Sequence, residues 1–171
     1  MSYVLAPHEG ATEGLQRVIR EQAEKMASEC SEAQEHASAF AHKARVRCKR
    51  IRAALRLARP LMTEKAFARE NRWWRDLARL LSDLRDASAR IEALESLRPF
   101  LVARIGPEAT HRLEERFKSE RREVDASTSI AAFIAQLEAR DGDLVPQLAD
   151  GGRDKLVKAL VKAEVETDEA D

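Results

Sequence analysis

The chain is poor in the residues that interrupt helices or cross-link a fold. Six glycines and five prolines in 171 residues, beside abundant Ala, Leu, Glu and Arg, argue against a chain broken by frequent turns and favour helix nearly throughout. Two cysteines, Cys30 and Cys48, with no CxxC pair, give no basis for a disulfide framework, and a reducing compartment is expected. No run approaches 18 apolar residues, and the N-terminal "MSYVLAPHEGATEG" has no basic segment followed by an apolar one, so neither a spanning helix nor a signal peptide is expected. Net charge of one sign is missing too. Thirty basic residues balance thirty acidic ones, so the molecule as a whole is not a polycation. A soluble, cytoplasmic, all-α protein is the expectation.

The apolar pattern divides the chain into antiparallel helices of one bundle, expected over residues 1–150. A first helix is predicted from an N-cap at Thr12 to Cys30, with Leu15, Val18, Ile19, Gln22 and Met26 inward. A second covers 33–59 and stops at Pro60, with Ala44, Cys48, Ile51, Leu55 and Ala58 as its buried stripe. A third begins after Thr63, turns Trp73, Leu77, Leu80 or Leu81, and Leu84 inward, and continues or kinks into "RIEALESLRPFL" before Gly106-Pro107 ends it. Further helices follow in "PEATHRLEERFKSERREV" and in the more apolar "STSIAAFIAQLEAR". An extra helix, "RDKLVKALVKAEV", and an acidic tail make up 151–171.

What the chain does have is one strongly basic stretch. Residues 42–60, "HKARVRCKRIRAALRLARP", contain eight Lys or Arg, one His and no acid. His42, Arg45, Lys49, Arg52 and Arg56 are spaced +3, +4, +3, +4 and therefore stack along one side of the helix over about 21 Å. Lys43, Arg47 and Arg50 flank the apolar stripe on its other side. Like charges at these spacings oppose helix formation by a few tenths of a kcal/mol per pair, so a compensating partner is expected. One candidate is a set of surface salt bridges from Glu21, Glu24 or Glu29. The other is a long polyanion taking charge-assisted hydrogen bonds from the Arg forks. In the third helix, "NRWWRDLARLLSDLRD" places Asn71, Arg75, Arg79 and Arg85 near one side as a second row of donors; Arg85-Asp86 could equally be a local ion pair.

Catalytic patterns are absent. There is no GxxxxGK[ST], GxSxG or HExxH motif, no ExExK signature, and His8, His36, His42 and His111 do not combine with Cys30 or Cys48 at metal-ligand spacing. No catalytic residue, metal or cofactor is expected.

The His at 42 followed by basic residues at Arg45, Lys49, Arg50, Arg52 and Arg56, with aliphatics between, resembles the helix motif of the conserved histidine α-helical domain (CHAD) family. "ENRWWRDLARLLSDLRD" is similar to that family's second block, with Arg75, Arg79, Arg85 and Asp86 in the matching places, and "VIREQ" is similar to its first helix. The resemblance is carried by residues 12–100. It implies non-catalytic binding of inorganic polyphosphate along a basic channel, in the cytoplasm and at polyphosphate granules. It also implies that this chain supplies one of the family's two bundles, so that a homodimer is expected and Arg153, Lys158 and Lys162 of the last segment are further candidate donors. The alternatives are a nucleic-acid phosphate backbone, which the lack of aromatics between Phe40 and Phe67 disfavours, and a protein-protein adaptor. Charge reversal at Arg45 and Arg52 is expected to abolish binding without loss of stability, because both lie off the core stripe.

Overall fold

The structure, a computed structural model, describes residues 8–140 and 145–149. Among these are six α-helices and two short 3₁₀ turns, with no strand: α1 Ala11–Ser28, α2 Ala37–Ala58, α3 Glu64–Arg79, α4 Ser82–Ile105, α5 Pro107–Glu123 and α6 Ala126–Glu138. The all-α expectation holds. The segment 151–171, with Arg153, Lys158 and Lys162, lies outside the described residues.

α2 is the hub. Small buried residues, Ala41, Ala44, Cys48, Ala54 and Ala58, let neighbouring helices approach its axis closely, and it packs on α1, α3, the start of α4 and α6. Its expected stripe is the one that is buried. Ile19, Met26, Ile51, Leu55, Leu77 and Leu81 complete the core, and α6 closes it by setting Phe133 edge-on to Phe40 at 5.6 Å.

Local chemistry explains the boundaries. Thr63 caps α3 by accepting from the Ala66 N–H at 3.2 Å, as expected of a Thr before the first helical turn. Asp125 does the same for α6 through the Thr128 N–H at 2.9 Å. α1 differs from expectation: Gly10, not Thr12, is its N-cap residue. The second helix also starts later than residue 33, because Cys30–Glu32 forms a separate 3₁₀ turn.

α3 departs from the predicted inward face. Trp74 is fully buried and Trp73 only half so, since the core row runs Phe67, Glu70, Trp74 and Leu77. The two indoles meet edge to face with centroids 4.6 Å apart. Glu70 is buried in that row because Arg140, which also lies over the Trp73 ring at 4.4 Å, donates to its carboxylate; a buried carboxylate requires such a partner. The helix breaks at Leu80 and Leu81, and α4 restarts at Ser82.

α4 and α5 form a long hairpin joined at Gly106. Gly106 has φ 84 and ψ 162, a conformation that glycine alone adopts without strain, and Pro107 begins α5 where its missing N–H costs nothing. The first turns of α4 bury Leu84, Ala87 and Ser88, whereas beyond Leu94 no residue of α4 is buried. The outer half of the hairpin therefore stands clear of the bundle.

Candidate functional site

On the shoulder of α2 that faces α3, Arg45, Lys49 and Arg52 form one wall of a cleft of about 230 Å³. Arg75, Ala78, Arg79 and Ser82 form the other, with Cys48 between them. No lining residue is acidic or aromatic. Two rows that are separate in sequence thus meet across one gap.

Each wall is held in place by specific bonds. Arg45 Nη1 donates to the Ala78 carbonyl at 2.9 Å and to Ser82 Oγ at 2.5 Å, bridging the joint between α3 and α4. The positive charge there also suits the C-terminal end of the α3 dipole. Arg52 Nε donates to Asn71 Oδ1 at 2.9 Å, so Asn71 orients a cation. Burial of the Arg52 guanidinium, followed by the neighbouring charges of Arg56, Arg75 and Arg79, pushes its pKa below the ordinary value. The direction registers crowding of like charge, which an anion in the cleft would relieve.

On the opposite wall, Arg75 forks onto Asp76, with Nε to Oδ1 at 2.9 Å and Nη2 to Oδ2 at 3.4 Å. Arg79 Nη1 stands 3.6 Å from the same carboxylate. The Arg75 hydrogen bond holds the Asp76 carboxyl below the usual carboxylate range. One carboxylate therefore serves two Arg residues beside the cleft, and the cationic excess remains. Cys48, beneath the gap, has its thiol pushed up to about 12 by burial, against the pull of Arg45 and Arg52. It is fully buried and packs in the core.

The salt-bridge alternative for the basic row meets a clear answer. Glu21 accepts from Arg17, and Glu29 reaches Arg47. Among the described residues, Arg45, Lys49, Arg52 and Arg56 have no carboxylate within ion-pair distance.

Not every predicted donor comes to the cleft. Arg47 lies on the side of α2 facing α1, in keeping with its place beyond the apolar stripe, and forks onto Glu29 at 3.1 and 2.5 Å; it does not line the cleft. Arg85 pairs with Glu92 at 3.1 Å and not with Asp86. Lys43 and Arg50 are exposed on the far shoulder, while His42 and Arg56 are exposed near the two ends of the row. Against the expected indifference of stability to Arg45 stand its bonds: Arg45 lies off the core stripe but donates to a backbone carbonyl and to Ser82.

Sequence reasoning missed Asp76 and Ser82. Asp76 was legible in principle, because Asp76 and Arg79 are spaced i,i+3 on one helix. Ser82 gave no signal, since its position depends on a helix break that no Gly or Pro marks.

Among the curated proteins and the solved structures, none matches the chain. The CHAD domain, a family associated with polyphosphate binding, matches residues 17–170. That span takes in both cleft walls and extends the relationship well past residue 100, and on this evidence the chain belongs to the CHAD domain family.

Proposed function

We propose that the cleft between α2 and α3 binds inorganic polyphosphate and performs no chemistry on it. Arg45, Lys49, Arg52, Arg75 and Arg79 are the central donors, and His42 and Arg56 extend the row at its ends. The observation that carries this reading is the meeting of two basic rows across a cleft with no acidic lining residue.

An extended chain of phosphates fits such a surface for a simple reason. Every residue of the ligand offers the same anionic oxygens, so a row of Arg forks and one Lys can engage it in any register. Asn71 and Ser82 act here as positioning residues that hold the guanidinium groups of Arg52 and Arg45 in the gap. A nucleic acid offers the same phosphates, and its bases would gain from a ring on which to stack. The cleft lining supplies no ring. Arg47 and Arg85 do not line the cleft and pair with Glu29 and Glu92, and on this proposal they make no ligand contact. On this proposal the protein acts in the cytoplasm, at stores of polyphosphate.

The test is a parallel titration with long-chain inorganic polyphosphate, single-stranded DNA and duplex DNA at equal phosphate concentration and near-physiological salt. Tight binding of polyphosphate with weak binding of both DNAs is expected. Equal affinity for DNA would replace polyphosphate by a general phosphate backbone, and no binding to any of the three would overturn the cleft as an anion site.

A further inference from the structure

The outer half of α4 carries apolar side chains that nothing in the described chain covers. Leu97 is 53% exposed and Phe100 65%. They belong to a stripe along α4, Asp86, Arg90, Ala93, Leu97, Phe100 and Arg104, spaced +4, +3, +4, +3, +4, and every member is exposed; Pro99 lies within the same helix. This is the spacing of a helix face that seats against a second helix. The buried residues Leu84, Ala87, Ser88 and Leu94 lie round the helix toward the bundle and α5, so the stripe is a face apart from both.

The order of residues along the stripe identifies the occupant. Around Glu95 the stripe is its own complement when reversed: Asp86 lies as far to one side as Arg104 does to the other, Arg90 as far as Phe100, and Ala93 as far as Leu97. We propose that a second copy of this chain docks on α4 across a two-fold axis at Glu95, with the two α4 helices antiparallel. Asp86 then meets the partner's Arg104, and Arg90 spreads its guanidinium over the partner's Phe100. Ala93 leaves the space that the partner's Leu97 fills. Each contact occurs twice, as a two-fold interface requires. A parallel pairing would instead set Asp86 on Asp86, Arg90 on Arg90 and Arg104 on Arg104, and like charges oppose it.

Two details of the monomer agree. Asp86 and Arg104 have no ion-pair partner among the described residues, so both are available. Arg90 pairs with Glu120 of α5 at 2.7 Å and its side chain is still 54% exposed.

The test uses the full chain without polyanion, in sedimentation velocity and light scattering from about 1 µM to about 1 mM. The mass rises with concentration from 19.3 kDa toward twice that value. Asp86→Arg and Arg104→Asp each weaken the association by about tenfold or more, and Phe100→Glu does the same. The double variant Asp86→Arg, Arg104→Asp regains the association, because the swapped pair is again self-complementary; circular dichroism of each variant verifies the fold. A wild-type chain that stays monomeric over the whole range overturns the proposal, whether its tail or another protein covers the stripe. A dimer that survives the single variants, or a double variant that fails to recover while folded, overturns it as well.

Discussion

Arg45 and Lys49 are one turn apart on the same shoulder of α2, yet the fold uses them differently. Lys49 is exposed and has no carboxylate partner among the described residues, whereas Arg45 bonds the Ala78 carbonyl and Ser82. Lys49→Glu should therefore remove most polyphosphate affinity while the melting temperature stays within about a degree. Arg45→Glu should remove affinity and also lower stability by about 1–3 kcal/mol, since it leaves the Ala78 carbonyl without its charged donor and sets a carboxylate against it. Paired titrations and thermal melts of the two variants separate these outcomes; equal stability losses would contradict the assignment. The Arg and Lys positions themselves were legible from 3.6-residue spacing. Their partners were not, because Asn71 and Ser82 meet Arg52 and Arg45 through the register of one helix against another, which no local pattern encodes.

Helix identities followed from apolar spacing and punctuation, and the misplacements have local causes. Trp73 and Trp74 are adjacent, so a one-residue choice decides which enters the core; the row starting at Phe67 selects Trp74. The break at Leu80 and Leu81 carries no Gly or Pro and is set by tertiary contacts, among them the bridge from Arg45. Gly106, by contrast, was legible as a boundary and is structurally demanding. A Cβ added there would meet nothing within 4 Å, so any penalty comes from the backbone alone. Gly106→Ala should lower stability by about 1–3 kcal/mol, measured by urea unfolding; a loss under about 0.5 kcal/mol would mean that the α4–α5 joint relaxes without strain.

For the molecule as a whole, charge balance conceals charge segregation. Thirty cations and thirty anions cancel, while five cations converge on one cleft. Long-range attraction is therefore weak and the site depends on local contact, with counterion release as its driving term. If the five cleft cations each engage a phosphate, affinity should fall roughly hundredfold between about 50 mM and about 200 mM salt, on the slope per contact known for single-stranded phosphate backbones. Lys49→Ala should flatten that slope by about one contact's share. An affinity unchanged over this range would detach binding from the cleft.

The two tryptophans have a further consequence. They are the chain's only two, they touch each other, and they precede Arg75 directly on the helix that forms one wall of the cleft. The protein is thus its own optical sensor: indole emission originates at the helix that would receive the ligand, with one ring sealed in the core and the other beneath Arg140. A displacement of α3 on ligand arrival and the collapse of the core on unfolding would then be followed in the same unlabelled sample.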